Sequence, residues 1–301
     1  MNRLVGELPA DIGLGLSASL TTLYLDDNRF NGTIQTSLSR LRNLRFLALD
    51  NNLFVGSIPA ELGELTHLQT MYLGDNPFDA ATLPPSFSKL ANLSTLYLSN
   101  CNLVGDFPSF LVEMPELELM DLHNNSLTGS IPWGLWRLSK LTNLILAKDN
   151  LTGHLADDGF AAVSLEYIDL GDNRLSGIIP GVFGRLENLT GLWLFRNNFS
   201  GQIPTNIAGL PSLCYLVLYD NRFNGTLPPE LGKYSLDLFY VAVDNNEFTG
   251  VIPEPLCNGG NLWSFSASSN RLNGCIPAAL ANCASLQRLR LDSNQLSGQV
   301  P

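Results

Sequence analysis

The chain is poor in the residues that catalysis and metal binding draw on. It has three histidines, His67, His123 and His154, far apart among its 301 residues. No set of cysteines and histidines has zinc spacing. No phosphate-cradling glycine-rich loop or G-x-S-x-G elbow occurs, and Asp and Glu are scattered without a paired site. The sequence therefore predicts no enzyme, no metal and no cofactor. Long apolar runs are missing too. Nothing approaches the roughly 18 apolar residues of a membrane helix, so the chain itself is not expected to enter a bilayer. Basic residues are scarce, with 17 Lys and Arg against 28 Asp and Glu and a net charge of −11. That balance argues against nucleic acid or an anionic membrane surface as a partner. Only 15% of residues are charged while 45% are hydrophobic, which argues against disorder.

What the chain has instead is a spaced series of asparagines: Asn28, Asn52, Asn76, Asn125, Asn173, Asn197, Asn221, Asn246, Asn270 and Asn294. Most neighbours are separated by 24 residues, and Cys101 and Asp149 fill the two empty rungs. Asn2 opens the series. Before each rung comes L-x-x-L-x-L-x-x or a close variant, such as Leu20, Leu23, Leu25 or Leu189, Leu192, Leu194. After it come Leu or Phe, then Gly, then usually Ile-Pro or Leu-Pro. A fixed period of this length and pattern marks a leucine-rich repeat solenoid. The expected fold is an α/β repeat solenoid, a right-handed superhelix of about 12 repeats with a concave parallel β-sheet. It is expected to run as a single domain over residues 1–301.

Alternation along x-L-x-L-x sends Leu23 and Leu25 inward and Thr22, Tyr24 and Asp26 outward. Where the chain turns off the sheet, backbone groups need partners. An Asn side chain offers both donor and acceptor, so the rungs are expected to bond the backbone of their own and neighbouring coils. Gly32, Gly56, Gly129, Gly177 and Gly201 suit a bend or a close approach of coils. Ile131, Ile179, Ile203 and Ile276 are expected to point inward, each before a Pro placed where no amide donor is needed. Convex segments such as Ala60–Leu65 are expected as short 3₁₀ or helical turns. Asp149 lacks the Asn donor, and its coil has Leu155-Ala156 in place of Ile-Pro. The start, Met1–Gly6, does not read as a signal peptide, and neither end shows a polar cap. The chain is therefore expected to be a fragment of something longer, and on its own poorly soluble or oligomeric.

The same alignment places Tyr167, Trp193, Phe195, Tyr215, Tyr219 and Tyr240 on the outward side of four consecutive strands. Aromatics clustered on a water-facing surface mark partner sites, unless they merely pack on one another across strands. Nearer the N-terminus the outward set is polar and acidic: Tyr24, Asp26, Asp50, Tyr72, Tyr97, Asp121 and His123.

The form L-x-x-L-x-L-x-x-N-x-L-x-G-x-I-P, as in Leu189 to Pro204 with Asn197, Phe199, Gly201 and Ile203, resembles the plant-specific class of leucine-rich repeats. A narrower resemblance is to the ectodomains of plant receptor-like kinases of the HAESA type, which are peptide-hormone receptors. It rests on Pro253-Glu254-Pro255-Leu256-Cys257-Asn258-Gly259-Gly260 and on Ala281-Asn282-Cys283-Ala284-Ser285-Leu286-Gln287-Arg288-Leu289-Arg290-Leu291. The resemblance implies that Arg288 and Arg290 face the concave surface and hold the free C-terminal carboxylate of a secreted peptide. It also implies an extracellular place at the plasma membrane and a leucine-rich repeat co-receptor kinase as a further partner. The family's Cys-bearing N-terminal cap, membrane span and kinase are not in this sequence. Alternation independently puts Arg288 and Arg290 outward on one strand, where two guanidiniums can clamp one carboxylate through charge-assisted bonds. The competing reading is two solvated surface arginines. The alternative function is a receptor-like protein or a secreted defence protein resembling polygalacturonase inhibitors, which binds another protein.

Of five cysteines, Cys101 occupies a rung and is expected to be buried, and Cys214 precedes a strand. Cys257 and Cys283 lie about one coil apart on adjacent convex turns, where a disulfide becomes possible, with Cys275 as a competing partner. Asparagines in N-x-[S/T] sequons, Asn31, Asn92, Asn124, Asn150, Asn188, Asn198 and Asn224, fit a secreted glycoprotein.

Overall fold

The computed structural model describes residues 3–16, 19–155 and 159–301; Met1, Asn2 and Ala156 lie outside these residues. Two compact units divide the chain, Met1–Leu151 and Thr152–Pro301.

In the first unit the three-residue strands Thr22–Tyr24, Phe46–Ala48, Thr70–Tyr72, Thr95–Tyr97, Leu119–Asp121 and Asn143–Ile145 pair in parallel, each with the next. The second unit repeats the plan with Tyr167–Asp169, Gly191–Trp193, Tyr215–Val217, Tyr240–Ala242, Ser264–Ser266 and Arg288–Arg290. Middle residues of the inner strands, among them Leu47, Met71, Leu192, Leu216 and Phe265, are fully buried. Leu194 is buried as well, whereas Leu23 and Leu25 are half-buried because their strand has a neighbour on one side. For the same reason Leu289 is 41% exposed; Ile276 is half-buried, while Ile131, Ile179 and Ile203 are buried.

The asparagine rungs explain the period. The residue before each rung turns with positive φ, as Asn51 at 58° and Arg196 at 49°. That conformation is costly for a residue with a Cβ. It leaves carbonyls facing inward, and the rung satisfies them. Asn197 Nδ2 donates to Leu170 O at 2.9 Å in the previous coil and to Leu194 O and Phe195 O at 3.2 and 3.1 Å in its own. Its Oδ1 accepts the Leu175 N–H at 2.9 Å. Asn52 repeats the set with Leu25, Leu49, Asp50 and Phe30. Cys101 is buried and turns its thiol toward Leu73 O and Ser99 O, so it stands in as a weak donor.

Two positions after the rung, Phe199, Phe223 and Phe248 stack into a buried spine with centroids 6.0 and 6.1 Å apart. The glycine that follows meets two demands at once. Gly201 has φ 76°, and a Cβ there would lie 2.8 Å from Ile178 Cγ2 of the previous coil. Short 3₁₀ segments such as Ala60–Glu64, Trp133–Arg137 and Thr205–Gly209 close the coils. Near the C-terminus a disulfide joins Cys257 to Cys283 with Cα atoms 5.9 Å apart, while Cys275 is free and exposed. Among the described residues no helix is long and apolar enough to cross a membrane, and no group of His, Cys, Asp and Glu could hold a metal ion.

Candidate functional site

The outward face of the second unit changes character along its six strands. At its start the side chains are aromatic. Trp193 lies between Tyr167 and Tyr215, with ring centroids at 4.2 and 5.3 Å. Two residues past the ends of these strands Phe195 stacks on Tyr219 at 4.9 Å. Arg196 reaches over the Tyr219 ring at 5.8 Å and is tied to Asp172 and Asp220. All six sequence-predicted aromatics, Tyr240 included, are half-buried. They pack on one another across strands and still present a face to solvent.

Beyond Tyr240 the outward side chains become small: Ala242, Ser264, Ser266 and Ser268 are buried. Two acids stand among them, and both are engaged. Asp244 accepts the Ser266 hydroxyl at 2.5 Å and the Ser268 N–H at 3.0 Å. Asp292 accepts the Ser268 hydroxyl at 2.6 Å, a bond that holds its carboxyl below the usual range. Arg288 and Arg290 follow, paired in register with Ser264 and Ser266 and exposed. Among the described residues neither guanidinium has an ion pair or a side-chain hydrogen bond, and the nearby acids Asp244 and Asp292 bond serines. Beside them the Ser264 hydroxyl is buried without a partner. The arrangement offers an aromatic shelf, a small polar floor and two open cations two residues apart on one strand.

Sequence reasoning missed two members of this surface. Phe239 and Trp263 stack at 5.8 Å, and Phe239 meets Tyr215 at 5.9 Å, which carries the aromatic row onto the flank. With Cys214, Asp237, Asn261 and Gln287 they line an open cavity of about 600 Å³. Each sits one residue before its strand, where alternation does not yet apply. The signal was an aromatic at that same position in two consecutive coils. In the first unit Phe46 likewise links Tyr24 to Tyr72 at 4.3 and 5.8 Å. His123 there bonds Asp121 through Nδ1 at 2.7 Å, which raises its pKa. Six of the sequon asparagines are exposed and Asn150 is half-buried; none lies on a strand of the outward aromatic face.

A family model for a leucine-rich repeat region matches residues 18–158, and a leucine rich repeat model matches residues 163–223. No curated protein sequence matches the chain. Among solved structures, the Arabidopsis receptor kinase HAESA in complex with the peptide hormone IDA and the co-receptor SERK1 is 36% identical with a TM-score of 0.95. The HAESA ectodomain with an N-terminally extended IDA peptide gives 36% and 0.97. Both matches cover 100% of this chain and 50% of the other, so the chain spans about half the length of the HAESA chains. The ectodomain of GASSHO1/SCHENGEN3 from Arabidopsis thaliana, in complex with CASPARIAN STRIP INTEGRITY FACTOR 2, is 32% identical with a TM-score of 0.82. That match covers 100% of this chain and 38% of the other.

Proposed function

We propose, for a chain that belongs to the leucine-rich repeat family, that its second unit binds the C-terminal end of an extended secreted peptide. The peptide crosses the strands, lays apolar side chains on Trp193, Phe195 and Tyr219, and ends with its free carboxylate between Arg288 and Arg290. The observation that carries this is the pair of open guanidiniums beside acids already occupied by serines. An anion arriving there forms charge-assisted bonds without displacing an internal ion pair. The aromatic shelf supplies rigid contact area at low entropic cost. The relatives that bind peptide hormones support the same partner class, and the HAESA complex supports a co-receptor kinase as a second partner. On this proposal the chain is a non-catalytic, glycosylated part of a receptor-like kinase ectodomain, on the extracellular face of the plasma membrane.

The test compares short peptides carrying a free C-terminal carboxylate with the same peptides amidated, titrated against the immobilised chain. Free-acid peptides should bind at least about tenfold more tightly, as expected for a charge-assisted contact. Equal affinity for both forms would reject carboxylate recognition.

A further inference from the structure

One rung of the ladder lacks its donor. In the coil before it, Asn125 follows the general plan: Oδ1 accepts the Leu103 N–H at 2.9 Å, and Nδ2 donates to Leu98 O, Leu122 O and His123 O at 2.9, 2.6 and 3.4 Å. Asp149 occupies the next rung. Its Oδ1 accepts the Leu127 N–H at 2.8 Å, the same bond in the same register. Its Oδ2 therefore takes the place of the amide nitrogen. That oxygen is buried and without a hydrogen-bond partner, in a side chain belonging to a residue only 7% exposed. By the repeat register, the groups that an amide would bond from this rung are the carbonyls of Leu122, Leu146 and Ala147, and carbonyls only accept. An ionised carboxylate there would set an anion against acceptors in a buried site, which is strongly unfavourable for an unpaired charge.

We propose that Asp149 is built into the fold as the neutral carboxylic acid, its Oδ2 proton replacing the missing amide donor, so that this coil is closed in acid and loosens when the proton leaves. Burial raises its pKa from 3.8 to about 7, against the opposing pull of the Leu127 and Asn125 amides and of His123. Other charged groups nearby are Lys148, the exposed residue before it, and Asp121, which holds His123. The sign follows from linkage. The folded state keeps a proton that the unfolded chain has lost, so this contribution is complete below about pH 4 and gone above about pH 7. His123 acts in the same direction, because Asp121 raises its pKa, and the two must be separated experimentally.

The experiment is hydrogen exchange on the full 301-residue chain, read as opening constants for residues 119–127 and 143–151 after correction for intrinsic exchange. Between about pH 4 and pH 7 the wild-type opening constant should rise by up to roughly a thousandfold, because opening releases one proton and each pH step of one then favours it about tenfold. In Asp149→Asn the rise should vanish, and above about pH 7 the variant should be better protected than wild type. His123→Gln should keep most of the rise. The proposal is overturned if Asp149→Asn retains the wild-type rise, or if His123→Gln abolishes it. Asn is the residue of every other rung but Cys101, so failure of Asp149→Asn to fold would overturn it as well. A second readout is the protonated-carboxyl stretch in the infrared difference between wild type and Asp149→Asn at about pH 5. Its presence supports the neutral acid, and its absence rejects it.

Discussion

The Trp193 indole lies across Gly191 of its own strand: a Cβ placed on Gly191 would meet the ring at 1.6 Å. Space, not backbone conformation, makes glycine necessary here. With no side chain two residues before it, the indole can lie between Tyr167 and Tyr215 and present a face to solvent. Gly191→Val should leave the buried leucines untouched and lift the indole off the sheet. The melting temperature should change little, while affinity for a bound free-acid peptide should fall about tenfold, as when an aromatic anchor is lost. Unchanged affinity would mean that Trp193 is not part of the binding surface.

The backbone of the fold could be read from the sequence because its key bonds follow the period. Asn197 reaches carbonyls 27, 3 and 2 residues back, so the spacing of the asparagines already encodes which coils touch. Alternation on short strands placed Trp193, Tyr215, Arg288 and Arg290 outward for the same reason. Side-chain direction was not encoded in this way. That Trp193 folds down onto Gly191, or that Ser266 and Ser268 occupy Asp244 and Asp292, depends on rotamers and on packing between coils. Phe239 and Trp263 escaped because they precede the strand, where the chain is still turning and no two-residue period exists.

Asn197→Ala tests the ladder directly. It leaves the Leu175 amide without its acceptor, in a site where the residue is 9% exposed. It also takes one donor each from the Leu170, Leu194 and Phe195 carbonyls, which keep Asn173 Nδ2, Asn221 Nδ2 and the Asp172 N–H. Leaving a buried polar group unsatisfied costs about 1–3 kcal/mol, reduced where water can enter. A loss of about 1–3 kcal/mol is expected in denaturant unfolding. Faster exchange should centre on the Leu175 amide. A loss below about 0.5 kcal/mol would place the asparagines among tolerant surface residues.

The cysteines differ enough to be told apart chemically. Cys275 is exposed and free, Cys101 is buried with a thiol pKa pushed well up by desolvation, and burial also raises that of the half-buried Cys214. Brief alkylation of the native chain should label Cys275 first, and mass spectrometry should find Cys257 and Cys283 unlabelled until a reductant is added. Replacing both bonded cysteines by serine opens a link with a sequence separation of 26. The chain-entropy relation puts the expected loss at about 3.5 kcal/mol. Early labelling of Cys257 or Cys283 without reductant would contradict the pairing.

The carboxylate clamp makes the most demanding prediction, because it ties two changes on opposite sides of one contact. Arg288→Ala with Arg290→Ala removes the cations, and amidating the peptide removes the anion. Each alone should weaken binding at least about tenfold, since a charge-assisted contact loses its partner. Together they should do little more than either one, because both delete the same interaction and its coupling energy is counted once. The neighbouring acids sharpen the test. Asp244 and Asp292 are bonded to serines, so the double variant breaks no internal ion pair, and the melting temperature should hold within a few degrees. The measurement is a four-way titration of free-acid and amidated peptide against wild-type and doubly substituted chain. Losses that add in full, or an unweakened double variant, would return Arg288 and Arg290 to the status of ordinary surface charge.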